Sequence, residues 1–191
     1  MIKARRAIRA TPADPRVRRA YFDCRYGQLH MHYAIPAGGG FDEATALLCI
    51  PGSPGLGQFF QPLLQSLGRD RSVYAPDLPG CGGSDLPEGR ADEAQIGAAL
   101  TDFLDSMYLR HVDLLAHGDG VDIALSMVRQ QPARIGRMVL SPGSEAVRLE
   151  ARSLRHPSLV IDLQANGSNY GREAGDIERQ AAQLREFLGL A

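Results

Sequence analysis

Two kinds of pattern alternate along the chain. Short apolar runs that close on glycine and proline give way to longer stretches in which apolar residues recur at helical spacing. Val17–Arg25 and Gln28–Ile35, on either side of Tyr26-Gly27, predict an antiparallel hairpin, because Leu29, Met31 and Tyr33 alternate with Gln28, His30 and His32 at strand period. Pro36–Gly40 predicts a flexible turn, Ala46–Ile50 a short buried strand, and Pro51-Gly52-Ser53-Pro54-Gly55 the loop that follows it. Gly57–Leu67 predicts a helix with Phe60, Leu63, Leu64 and Leu67 on one face.

Ser72–Ala75 reads as a strand that opens into a Gly- and Pro-rich loop reaching Asp85. Ala91–Tyr108 reads as a helix carrying Ile96, Leu100, Phe103, Leu104 and Met107 on its apolar face. An apolar run from Val112 passes through Ala116-His117-Gly118-Asp119-Gly120 into a second helix, which ends near Gln131-Pro132. Arg137–Leu140 and Ser158–Leu163 predict further strands, and Glu173–Leu188 a last amphipathic helix bearing Ile177, Ala181, Leu184 and Leu188. Strands alternating with helices predict an α/β fold: a three-layer sandwich around a mainly parallel sheet, with the hairpin antiparallel at its start. No repeat, low-complexity segment or clean linker interrupts it. One domain is therefore expected over 17–191, behind a flexible basic arm at 1–16.

Composition narrows the function classes. A net charge of −1 argues against a nucleic-acid or polyanion partner, and the 21 basic residues are all Arg except Lys3, a skew that reads as coding bias. No apolar run reaches the ~18 residues of a membrane span. The Arg-rich start has no apolar core of the kind a secretory signal needs, so a cytoplasmic protein is expected. Cys24, Cys49 and Cys81 are unevenly spaced with no C-x-x-C pair, which predicts neither a disulfide framework nor a zinc site. His30 and His32, at i and i+2, could begin a metal site, but with no third ligand identifiable they read as a solvated strand face. No metal and no cofactor are expected.

The most telling stretch runs from Val112 to Leu125. A strand, a small–His–Gly–x–Gly turn and a helix follow one another without a break, the layout of the G-x-S-x-G nucleophile elbow. Three further blocks stand in order before it. They are Gly27-Gln28-Leu29-His30, then Ile50-Pro51-Gly52-Ser53-Pro54-Gly55, then Ala75-Pro76-Asp77-Leu78-Pro79-Gly80-Cys81-Gly82-Gly83-Ser84-Asp85. From about Tyr21 to Leu140 the chain resembles the α/β-hydrolase superfamily. That resemblance implies an elbow at His117, Gly118, Asp119 and Gly120, and an oxyanion loop or pocket at Gly52, Ser53, Pro54 and Gly55.

The same resemblance shows what is missing. Acyl transfer on this fold needs a nucleophile, a His base, an orienting carboxylate and backbone N–H donors. Gly118 stands where the nucleophile belongs, with Ala116 and Gly120 at the small positions. Asp119 is one residue late, and sliding the turn by one would put His117 where Gly is required. The turn at 165–171, where the family places its base, holds no His, and beyond the elbow His156 is the only one. If Ser158–Leu163 is the penultimate strand, Asn166 replaces the acid; if it is the last, the acid-bearing segment is absent. Asp77 and Asp85 read as loop-shaping hydrogen-bond acceptors, Ser53 as a turn residue, His117 as a pocket-lining residue, and Asp119 and Asp122 as complements to a helix dipole.

Two functions follow. One is a pseudoenzyme that binds a small-molecule ligand or a partner; the other is a hydrolase of a small ester or amide that uses an unusual constellation such as His117, Asp119 and Ser53. Too few residues separate Leu140 from Ser158 for a helical cap, so a capless, shortened fold is expected. An uncovered patch at Leu56, Phe59 and Phe60 then predicts a homodimer or a covering partner.

Overall fold

The computed structural model describes residues 15–37, 45–163 and 174–189. The expected arm at 1–16 and the turn at 165–171, Asn166 included, lie almost wholly outside these residues, as does most of the Pro36–Gly40 turn.

The hairpin forms where the alternation predicts it, as β1 (Arg18–Cys24) and β2 (Gly27–Ala34), paired in register from Arg18 opposite Tyr33 to Cys24 opposite Gly27. The remaining strands are β3 (Ala46–Ile50), β4 (Val73–Pro76), β5 (Val112–His117), β6 (Ile135–Ser141) and β7 (Ser158–Val160). They make one seven-stranded sheet in the order β1-β2-β4-β3-β5-β6-β7, parallel from β4 to β7, with β2 antiparallel to β4. Every residue of β3 and β4 is buried, which explains their unbroken apolar reading.

The helices divide between the two faces. α2 (Glu93–Ser106), α3 (Gly120–Gln130) and α4 (Glu145–Ser153) cover one, where Leu48, Ile50, Leu114 and Leu140 meet Leu100, Phe103, Val121 and Ala124. α1 (Gln61–Leu67) and α5 (Ala174–Leu188) cover the other, packing Leu63, Leu64, Leu67, Ala181 and Leu184 on Leu47, Cys49, Leu115 and Val139. The first predicted helix enters by a single 3₁₀ turn, Gly57–Phe60, with the α-helix starting at Gln61 ahead of Pro62. α2 begins two residues later than predicted because Asp92 closes a capping box: its carboxylate accepts from the Gln95 N–H, and the Gln95 side chain accepts from the Asp92 N–H. α4, capped by Ser144, is the one short helix for which the segment before β7 has room.

A buried ion pair ties the N-terminal ends of the strands. Arg71, 2% exposed, sits before β4 and donates through Nη1 to Asp113 Oδ2 of β5 at 2.6 Å. The other Asp113 oxygen accepts from the Arg137 N–H of β6 at 2.7 Å. Arg71 Nη2 and Arg137 Nη1 both donate to the Leu188 carbonyl at the end of α5, at 3.2 and 2.8 Å. Removing one partner strands the other charge in a dry interior, a cost of about 3–5 kcal/mol. Asp113→Ala is therefore expected to lower the unfolding free energy in urea by about that amount. The exposed change Asp23→Ala is expected to stay within about 0.5 kcal/mol of the parent chain.

Candidate functional site

The corner between β5 and α3 is built by glycines packed backbone against backbone. Gly118 has φ +55°, the left-handed region in which a side chain is costly, and it lies at the C-terminal edge of the parallel strands. Its N–H donates to the Ser141 carbonyl of β6 at 2.8 Å, and its carbonyl accepts from Val121 as α3 begins. A Cβ on Gly120 would stand 2.5 Å from the Ile50 carbonyl oxygen. A Cβ on Gly52 would stand 2.7 Å from the His117 carbonyl oxygen and 3.0 Å from the Asp119 nitrogen. Only glycine lets the loop after β3 and the elbow approach this closely.

Position 118 differs from its neighbours. A Cβ built there meets only the Gly52 Cα, at 3.5 Å, an ordinary contact. The site thus has room for a side chain that the sequence does not supply. Beside it, the Asp119 and Ser53 N–H groups donate to no acceptor among the described residues. Two backbone donors next to a left-handed corner at a helix N-terminus suit an anionic or carbonyl oxygen.

The five histidines fall in three places. His117 leaves the elbow and stacks flat on Phe59, with ring centroids 4.5 Å apart and planes 13° apart. Its Nδ1 lies 3.3 Å from the hydroxyl of Ser141, its register partner, and that buried hydroxyl accepts from the Leu163 N–H at 2.9 Å. Sequence reasoning passed over Ser141; its place opposite His117 becomes visible only once β5 and β6 are in register. His156 bonds the Gly136 carbonyl and His111 is exposed before β5, both at the opposite edge of the sheet from Gly118. His30 and His32 stand on β2, three strand spacings or ~14 Å from β5. The histidines that contact Asp77, His30 and His32, are thus distant from Gly118.

The second cluster corrects the solvated-face expectation for His30 and His32. Because β2 is an interior strand with the loop at 77–85 laid against it, both rings turn toward Asp77, and His32 is only 9% exposed. Asp77 Oδ1 accepts from the Gly57 N–H at 2.8 Å; Oδ2 accepts from the Gly83 N–H at 3.0 Å and lies 2.8 Å from His30 Nδ1. Burial opposes ionisation of Asp77, but these donors outweigh it and hold its carboxyl below the usual range. Burial is also the main cause that lowers the His32 pKa; Asp77 opposes it, while His30 and Arg19 add to it. Ser84 completes the loop, accepting from the His30 N–H and donating to the Asp77 carbonyl. Asp85 accepts from the Gln28 N–H, so both aspartates shape the loop as predicted. Among the described residues His30, His32 and Asp77 form the one group able to offer three metal-ligand atoms, all within 4.8 Å of one another.

Other expectations also meet the structure here. Phe60 is fully buried and Leu56 and Phe59 are half-buried, so the apolar patch foreseen at 56–60 is not exposed; Phe59 is spent on His117. Cys49 is a core thiol, and the Cys81 pKa is raised by burial and then by Asp77, the reverse of an activated thiolate. Asp119 caps α3 without a side-chain hydrogen bond. Asp122 has its pKa raised by burial and then by Glu93 and Asp119.

The steric contrast along the elbow gives a direct check. Gly118→Ala is expected to cost about 1–2 kcal/mol, the strain of a left-handed residue with free space around its Cβ. Gly120→Ala adds a backbone clash and is expected to cost more, or to prevent folding, when the two are compared by urea unfolding.

Comparison with known proteins agrees with this architecture. A sequence model described as the alpha/beta hydrolase family matches residues 47–189. A haloalkane dehalogenase of Psychrobacter cryohalolentis is 30% identical over 121 residues, 61% of this chain and 38% of that protein. The 2-hydroxy-6-oxononadienedioate/2-hydroxy-6-oxononatrienedioate hydrolase 2 of Pseudomonas putida is 26% identical over 148 residues, 71% of this chain and 51% of that one. The chain thus spans about half or less of the length of these relatives. Among solved structures, a "predicted CIB-like hydrolase" from Thermoplasma acidophilum superposes with a TM-score of 0.70 at 13% identity, covering 91% of this chain and 98% of that one. An epoxide hydrolase from Vigna radiata gives 0.56 at 23% identity, covering 65% and 39%. Among the described residues no helix is long and apolar enough to cross a membrane. With three quarters of its length matched by the family, and with its sheet order and elbow in place, the chain belongs to the alpha/beta hydrolase family.

Proposed function

We propose that this chain is a ligand-binding member of the family in which serine-hydrolase chemistry has been lost. The observation that carries the reading is Gly118: the position from which a nucleophile would project has no side chain, while the corner around it is kept. A serine at this corner would still need a base within hydrogen-bond reach. His117, the nearest histidine in sequence, lies against Phe59 and Ser141. The Asp119 and Ser53 amides supply electrostatic complementarity to an oxygen without any group to attack the carbon beside it. The ligand this suits is a small molecule that presents a carboxylate or a polarised carbonyl.

One contact favours a second reading, a noncanonical hydrolase of a small ester or amide. The hydroxyl of Ser141 receives the Leu163 N–H, which leaves its own proton free to point at His117 Nδ1. That polarity is the one general-base activation requires. Ser53 and Asp119, the partners expected for His117 from the sequence, have no side-chain bond to it.

Two measurements separate the readings. With p-nitrophenyl butyrate the protein is expected to show no saturable turnover above buffer. Turnover near 1 s⁻¹ that is lost in His117→Ala or Ser141→Ala would replace the first reading by the second. Calorimetry with butyrate tests the amide cradle. Asp119 has φ −66°, within the range of proline, so Asp119→Pro removes the N–H, Asp119→Ala keeps it, and circular dichroism checks that both variants fold. Binding is expected in the parent chain and in Asp119→Ala, and not in Asp119→Pro; equal heats in both variants would remove the cradle from the proposal.

A further inference from the structure

The second histidine cluster has a geometry that its structural role does not account for. His30 is fully used: Nδ1 bonds Asp77, the ring leans on Tyr21 with centroids 5.2 Å apart, and Gly83 packs so closely that a Cβ there would come within 3.0 Å of it. His32 is not. Its ring is nearly buried, stands edge-on to His30 at 4.8 Å, and makes no hydrogen bond among the described residues. Its Nε2 stops 3.8 Å from Asp77 Oδ1, too far for a hydrogen bond and directed at a carboxylate already held by two backbone N–H groups.

We propose that His30, His32 and Asp77 form a binding site for one divalent transition-metal ion of the zinc type, with water in the fourth position. The geometry is close to that required. A tetrahedral ion with bonds of ~2.0–2.1 Å holds its donor atoms about 3.3 Å apart. His30 Nδ1 lies 2.8 Å from Asp77 Oδ2 and His32 Nε2 3.8 Å from Asp77 Oδ1, and one donor atom from each of the three residues falls in a set no wider than 4.8 Å, so closing the set around one ion takes a shift of about 1–1.5 Å. Two imidazoles and a carboxylate are the donor set that zinc and its neighbours prefer over calcium or magnesium. Asp77 brings a full negative charge; both rings are neutral ligands.

Loading requires only a small rearrangement. The proton shared between His30 Nδ1 and Asp77 Oδ2 moves to His30 Nε2, the ring stays neutral, and the ion takes its place. His32 binds through Nε2 and keeps its proton on Nδ1. The Gly57 and Gly83 amides orient the carboxylate, as outer-shell donors commonly do for metal ligands, and the His32 ring closes the remaining distance. Arg19, opposite His32 on the edge strand β1, is the cation that faces the cluster, and it is exposed enough to turn away. Both rings retain some solvent access, which provides an entry path and a place for the water. The proposal does not depend on how the Gly118 corner is read.

The test uses the tag-free protein after chelator treatment, titrated with cobalt(II) and then with zinc(II). One equivalent of cobalt is expected to give the visible absorption of a four-coordinate site, and one equivalent of zinc to abolish it and raise the melting temperature. His32→Leu removes a ligand without breaking any hydrogen bond among the described residues, and His32→Gln serves if the leucine variant does not fold. Either is expected to weaken zinc binding ~10-fold or more, while His111→Ala, at the opposite edge, binds like the parent. Absence of the cobalt spectrum, or zinc affinity unchanged in the His32 variant, overturns the proposal. A loss confined to His111→Ala would place the ion elsewhere and overturn it equally.

Discussion

The C-terminal edge of the sheet depends on one close approach: the loop after β3 lies directly on the corner between β5 and α3, main chain against main chain. Gly52 and Gly120 make it possible, since a methyl group on either would occupy the space of a carbonyl oxygen. Once the two loops are so close, much of the rest follows. α3 must leave the sheet at once, and residue 118 must take a left-handed conformation. The constraint is purely steric, so it persists whatever chemistry the corner performs. That is why the frame of a hydrolytic site can remain sharp when the position that would attack is a bare glycine.

A second set of constraints acts three strands from the elbow, on β2. The loop from Asp77 to Asp85 is stitched to the start of β2 by five main-chain or side-chain bonds, and the Asp77 carboxylate meets His30 and the Gly57 and Gly83 amides. A carboxylate with so many donors is an organiser first. It sets where Gly57 begins the first helical turn, where Gly83 lies and how His30 turns. The chemical interest lies in what this leaves over, an imidazole brought close to the same carboxylate and given no hydrogen-bonding duty.

Most of the fold was legible because period and punctuation agreed. β3 came out with its predicted ends, and α5 ends at Leu188 as predicted, since apolar spacing and turn chemistry pointed the same way. The elbow was legible for a different reason: its small residues answer a steric demand that few other backbones make. Less could be read where the outcome depends on tertiary neighbours. His30 and His32 alternate with Leu29 and Met31, and alternation normally means one wet face; here a loop from 47 residues further along covers it. The pairing of His117 with Ser141 needed the register of two parallel strands, which no local pattern encodes. Phe59 and Phe60 looked like an open patch because a sequence cannot show that one is core and the other a platform for His117.

The charged knot at the other end of the strands bears on the order in which the molecule can come together. Arg71 has Asp113 as its ionic partner, yet among the described residues its second donor is met by the Leu188 carbonyl, 117 residues later, and its Nε by no acceptor. During synthesis the sheet's early strands leave the ribosome long before that carbonyl exists. Until residue 188 is made, a guanidinium destined for the interior is one acceptor short, and water must supply it. Burial of Arg71, the one buried arginine among the described residues, is therefore complete only when α5 docks beside β4 and β6.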